Sequence, residues 1–165
     1  APAHAGTGLP ENRIDVTVDL APFLPLPIGG PAPDFEAPLL DGGTFRLANH
    51  RGKVVVLYVY STWCAGCVQS IPDFEKSARV FADTPAVFVG VSLDQTQAEL
   101  QEFAREQRLR QPQAWAGPWE TSPLRTGYRV ASVPSSFIIA PDGTLAHRDL
   151  FGDYLEQEVR KLQGQ

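Results

Sequence analysis

With 165 residues, 43% of them apolar and 20% charged, the chain is long enough for one domain with a real hydrophobic core and short for two. Its net charge of −5, with scattered cations and no basic run longer than Arg108-Leu109-Arg110, excludes an electrostatic case for nucleic acid or an anionic membrane as partner. No apolar stretch approaches the roughly 18 residues that a membrane-spanning helix needs.

The chain begins at Ala1 and contains no Met, as expected after cleavage of a leader or after trimming; the residues leave both open. Residues 1–13, rich in Ala, Gly and Pro, predict a loosely held terminus. Ile14–Leu20 alternates apolar with acidic or hydroxyl residues, the period of a half-exposed strand. Prolines at 22, 25, 27, 31, 33 and 38 forbid a helix between Ala21 and Pro38 and predict an extended surface path. Leu39-Leu40, a turn at Asp41-Gly42-Gly43 and Thr44–Leu47 predict a small hairpin.

Val54–Tyr60 is a continuous β-branched and aromatic run, which predicts a central strand covered on both faces. A helix follows, because Cys67, Ile71, Phe74, Ala78 and Phe81 recur at steps of four and three. Pro72 should kink it, and Asp83-Thr84-Pro85 ends the segment. Val87–Leu93 predicts a second buried strand, and Thr96 with Glu99 a capping box that opens a helix with Leu100, Phe103 and Ala104 inward. Residues 111–123 read as loop around a short strand at 113–116, then a helical stretch over Leu124–Val130. Strands at Ser136–Ala140 and Thr144–Leu150 flank the turn Pro141-Asp142-Gly143. Asp153 and Glu156 open a last helix with Leu155, Val159 and Leu162 on one side. The order predicts an α/β fold with a mixed central sheet: a parallel part made by crossovers and an antiparallel edge.

Cys64 and Cys67 are the only cysteines, and they stand where the buried strand gives way to the helix. That placement predicts redox chemistry by a dithiol. Cys64 falls at the helix start, where unpaired amides and the positive dipole end favour a thiolate. Cys67, on the apolar stripe, is placed to resolve a mixed disulfide. A purely structural disulfide is the weaker reading: closing about four residues is worth only about 2 kcal/mol, against nearly 5 for a 100-residue loop. Zinc would need two further ligands, and no other Cys exists. His4, His50 and His147 have no ligand spacing, so no metal or other cofactor is expected; a copper chaperone using both cysteines and one distant His stays as an alternative.

Four stretches together resemble the thioredoxin superfamily, and within it the exported TlpA/ResA-type thiol–disulfide oxidoreductases, or redoxin domains. They are Gly30–Phe35 with Leu40–Gly43; Arg51–Leu57; Thr62-Trp63-Cys64-Ala65-Gly66-Cys67 with Pro72; and Tyr128–Val130 through Val133-Pro134-Ser135-Ser136-Phe137, with Asp142-Gly143. The resemblance covers about residues 30–163. It implies a thioredoxin-like fold over 30–165 behind an N-terminal β-extension at 1–29.

The same resemblance implies that Pro134 is cis, that the Val133 backbone pairs with a partner chain beside Cys64, and that Trp63 shields and docks. Implied too are protein thiol or disulfide substrates, an upstream reductase, the reducing direction, a monomer and an extracytoplasmic location. Two departures stand out: Tyr58 occupies the position of thioredoxin's buried Asp, and the dipeptide between the cysteines is Ala65-Gly66. Because that dipeptide carries no charge, the Cys64 pKa is expected to be only moderately lowered.

Tyr58 reads as core filler that could also hydrogen-bond near Cys67. Glu36, Asp73 and Glu75 are proton-relay candidates by sequence proximity alone, and Trp115 and Trp119 read first as cover for the core, second as a partner-facing patch. The alternative enzyme is a peroxiredoxin-like thiol peroxidase, whose Pro-x-x-x-Thr-x-x-Cys signature fails at Leu57 and Ser61.

Overall fold

A computed structural model describes residues 24–164 of the chain. The strand expected at Ile14–Leu20 lies outside the described residues, as do residues 1–13. The described chain runs β1 (Glu36–Pro38), β2 (Thr44–Arg46), a 3-10 turn (Leu47–His50), β3 (Val55–Tyr60), α1 (Ala65–Val80), β4 (Val87–Ser92), α2 (Gln97–Glu106), β5 (Gln113–Trp115), α3 (Pro123–Gly127), β6 (Ser135–Ile139), β7 (Leu145–Arg148) and α4 (Gly152–Leu162).

Five strands form one sheet in the order β5-β4-β3-β6-β7. β3 pairs parallel with β4 and β4 with β5, while β6 runs antiparallel to both β3 and β7. The all-apolar character of β3 follows from its place at the centre: all six of its residues are buried. Alternation then splits them between two cores. Val55, Leu57 and Val59 face α3, the β1–β2 hairpin, Tyr128 and Phe137. Val54, Val56, Tyr58 and Tyr60 face Ile71, Phe74 and Ala78 of α1, Leu100 of α2, and Leu155 and Val159 of α4. The expected α/β fold with a mixed sheet flanked by helices is therefore present, with β1 and β2 as a separate two-stranded sheet.

The hairpin differs in register from the expectation. Its first strand is Glu36–Pro38, not Leu39-Leu40: Glu36 faces Arg46, Ala37 faces Phe45 and Pro38 faces Thr44. An Arg46–Glu36 ion pair at 2.7 Å closes its open end. Leu39 bridges to Ala114 instead, and the Leu40 amide donates to the Gln113 carbonyl at 3.0 Å. The two leucines thus cover the sheet edge at β5, where their apolar area is partly buried, and Pro38 is tolerated at a strand end.

The last helix starts at Gly152 behind Phe151, which makes no side-chain cap, and Asp153 lies inside the first turn. The expected cap at Asp153 is thus displaced by two residues. α2, in contrast, opens on the complete Thr96–Glu99 capping box.

Candidate active site

α1 starts because Cys64, in extended backbone conformation, serves as its N-cap, and its sulfur accepts the Cys67 amide at 3.2 Å. Cys64 and Cys67 are joined by a disulfide, their Cα atoms 5.2 Å apart. The two sulfurs are unequally placed: Cys67 is fully buried on the Ile71–Phe74–Ala78 stripe, and Cys64 is half-buried. Pro72 sits within α1, as the sequence predicts.

A second loop meets this helix start. The Val133–Pro134 peptide bond is cis, and the Val133 carbonyl oxygen lies 3.5 Å from the Cys64 sulfur. A Cβ at Gly66 would stand 4.0 Å from the Pro134 ring, an ordinary contact, so this loop lies against the residues between the cysteines.

Trp63 is 59% exposed and meets the edge of Trp119 at 6.2 Å between centroids. The Arg125 guanidinium lies 4.3 Å from the Trp119 ring centre, a cation–π contact. Trp119 thus belongs to the surface beside Cys64, whereas Trp115 donates its indole N–H inward to the Asp94 carbonyl at 2.9 Å.

Under the disulfide, Tyr58 combines both expected properties. It is buried and stacks on Phe74, and its hydroxyl lies 3.1 Å from the Cys67 carbonyl and 2.6 Å from Ser70 Oγ. Burial pushes its phenol pKa up, and the Ser70 hydrogen bond only partly opposes this, so it stays a neutral donor. The three relay candidates have other partners. Glu75 accepts backbone N–H bonds from Arg110 and Gln111 at 3.2–3.4 Å and closes the α2–β5 loop. Glu36 pairs with Arg46, Asp73 is exposed, and none of the three is hydrogen-bonded to either cysteine.

One residue of this region escapes sequence reasoning. Asp94, fully buried after β4, accepts both the amide and the hydroxyl of Thr62 at 2.8 Å and the Ser92 hydroxyl at 2.6 Å. Beside neighbouring Ser92, its donors come from Thr62, 32 positions earlier, so no local motif announces it. Among the described residues no group of three His, Cys, Asp or Glu is placed to hold a metal ion, and no helix is long and apolar enough to cross a membrane. His50 stacks on Phe45 and His147 pairs with Glu158, both away from the cysteines in sequence and contact; His4 lies outside the described residues.

With this geometry in view, comparison with known proteins matches residues 28–148 to the AhpC/TSA family. The chain belongs to that family. It is 32% identical over 125 residues to the thioredoxin-like protein YneN of Bacillus subtilis, covering 71% of this chain and 68% of that one. Thiol-disulfide oxidoreductase ResA of Bacillus cereus is 24% identical over 132 residues, 80% of this chain and 74% of ResA.

Among solved structures, a thiol:disulfide interchange protein DsbE from Chlorobium tepidum superposes with a TM-score of 0.73 at 26% identity, over 83% of this chain and 98% of its own. The thioredoxin domain of a Bacteroides vulgatus thiol-disulfide oxidoreductase gives 0.75 at 24% identity, over 82% and 97%, and supports the fold. The chain is a thioredoxin-like thiol–disulfide oxidoreductase of the TlpA/ResA type, with Cys64 and Cys67 as its Cys-x-x-Cys pair.

Proposed function

We propose that this oxidoreductase reduces disulfides in protein substrates, with Cys64 as nucleophile and Cys67 as resolving thiol. In the dithiol form the Cys64 thiolate attacks one sulfur of a substrate disulfide. The substrate's other sulfur leaves as a thiolate and a mixed disulfide forms at Cys64. Cys67 then gives up its proton and attacks Cys64 Sγ, releasing the second substrate thiol and closing the Cys64–Cys67 disulfide. Two electrons pass to the substrate, and an upstream reductase must return them.

The observation that carries this reading is the inequality of the two sulfurs: one half-buried at a helix N-cap under the Val133 carbonyl, the other fully buried. The Val133 carbonyl beside Cys64 offers a substrate backbone a hydrogen-bond acceptor, and exposed Trp63 offers it an apolar wall. Tyr58 fixes the Cys67 peptide without serving as proton acceptor, which leaves that proton to solvent or substrate. Residues 30–165 form the catalytic unit in this reading, with 1–29 as an extension, acting as a monomer outside the cytoplasm. The extracytoplasmic placement rests on resemblance to ResA- and DsbE-named proteins.

The test is trapping. Cys67→Ser should accumulate mixed disulfides through Cys64 that dithiothreitol releases, and Cys64→Ser should lose insulin reduction. Peroxide turnover without disulfide exchange overturns the reading in favour of a thiol peroxidase. For the direction, a potential near thioredoxin's, about −270 mV, supports reduction, and one near about −120 mV overturns it.

A further inference from the structure

We propose that Asp94 tunes Cys64: its buried carboxylate clamps the loop that ends in the nucleophile at Thr62, two residues before it, and the negative charge held there opposes thiolate formation. The proposal rests on the reading of Cys64 as nucleophile and adds a positioning residue to it.

The clamp is built from three sides. Asp94 Oδ1 accepts Thr62 N–H and Thr62 Oγ1–H, both at 2.8 Å, two residues before Cys64. Oδ2 accepts the Ser92 hydroxyl at 2.6 Å, and that oxygen in turn accepts the Asp94 amide at 3.0 Å. The Asp94 carbonyl takes the Trp115 indole at 2.9 Å, so β5 is tied in as well. Every one of these donors is neutral. A loop clamp alone needs only acceptors, which a neutral amide also supplies; a fully buried carboxylate with no cation among its partners adds an uncompensated charge.

The other groups around Cys64 do not cancel it. The α1 N-terminus favours the thiolate, and Cys67 and the Tyr58 hydroxyl are neutral. From α3, Arg125 lies on Trp119, and exposed Glu120 of the β5–α3 loop stands near it with opposite charge. Residues 131–135 contain no titratable side chain, and Asp153 stands beyond Phe151 at the start of α4. Helix dipole and Asp94 therefore pull the nucleophile in opposite directions. Destabilising a thiolate destabilises the reduced form, so the carboxylate makes the dithiol a stronger reductant.

The experiment is Asp94→Asn, which keeps an acceptor for both Thr62 bonds and removes the charge. The midpoint of Cys64 alkylation against pH should fall by about one unit. The equilibrium with glutathione should match wild type below both midpoints, where both thiols are protonated. Above them it should favour the reduced enzyme by about tenfold, a rise of about 30 mV. An unmoved or raised midpoint, or an offset independent of pH, overturns the proposal and leaves Asp94 a structural clamp.

A measurement on the wild-type chain covers misfolding of the variant. In the reduced protein the carbon-13 resonance of the Asp94 carboxyl should carry a step at the Cys64 midpoint, and Cys64→Ser should abolish it. A resonance without that step also overturns the proposal. Peptide mapping of the alkylated thiol keeps the two readings apart, since modification at Cys67 first would strike at the nucleophile assignment itself.

Discussion

The two faces of the central sheet are built from the same strands and differ in kind. Towards the hairpin and α3, the strands present Val55, Leu57, Val59, Val89, Val91 and Ile139, which pack as hydrocarbon. Towards α1, the alternate positions include Tyr58, Tyr60, Ser92, Gln113 and Ser136, whose polar atoms are bonded: Tyr60 to Gln113, Ser92 to Asp94, Ser136 to the Leu150 carbonyl. The first face holds the fold chiefly by exclusion of water, with polar bonds only at its margin, where the Tyr128 hydroxyl donates to the Pro33 carbonyl and the Ser135 hydroxyl to the Ser132 carbonyl. The second adds directional bonds just where α1 and the cysteine loop must keep one geometry, at the risk that a lost partner leaves a buried group unsatisfied.

Leu57→Ala should test this division most severely. It opens a cavity on the hydrocarbon face and should cost about 2–5 kcal/mol in denaturant unfolding. The Cys64 alkylation midpoint should stay where it is; a shift would mean the faces are not separable. Gly90→Ala strikes the wired face: the Gln113 side-chain amide occupies the space of the new methyl, and it must move, breaking its bond with Tyr60. A loss of about 1–3 kcal/mol is expected from urea titration.

Tyr58→Phe removes one hydroxyl from the Cys67 carbonyl and Ser70, for about 1–2 kcal/mol. Stopped-flow should also show slower closure of the Cys64–Cys67 disulfide from a mixed disulfide, and a rate unchanged would reduce Tyr58 to core filler.

The smallest effect concerns His50, which stacks on Phe45 at the hairpin side. Burial first, and then nearby Lys53, lowers its pKa below the ordinary 6.5. The unfolded chain then binds the proton before the folded one, so stability falls as pH drops below 6.5 until the folded-state pKa is passed. His50→Gln should flatten that part of a stability–pH curve.

Sequence reading located the Cys-x-x-Cys pair, the strand before it and the α1 stripe because each is a local pattern, a spacing or a period, whereas the cis Pro134 came only from resemblance to the thioredoxin superfamily. It misplaced the hairpin because Leu39 and Leu40 look like strand residues, and only the distant partners Ala114 and Gln113 reveal where they bury. Asp94 looks like an ordinary acid after a strand, and its role comes from Thr62, 32 positions earlier, and Trp115, 21 later. Glu75, close to the cysteines in sequence, spends its carboxylate on the amides of Arg110 and Gln111. Proximity along the chain was the wrong measure for all three.

The chain's three tryptophans have a consequence for observation. Trp63 adjoins Cys64, Trp119 rests edge-on against Trp63, and Trp115 is bonded to the residue that grips the cysteine loop. Each indole stands within one or two contacts of the cysteine loop, Trp115 and Trp119 while also packing against the core. The ultraviolet emission of the protein should therefore change as the Cys64–Cys67 bond opens and closes, a natural optical gauge that titration with dithiothreitol would read with no label attached.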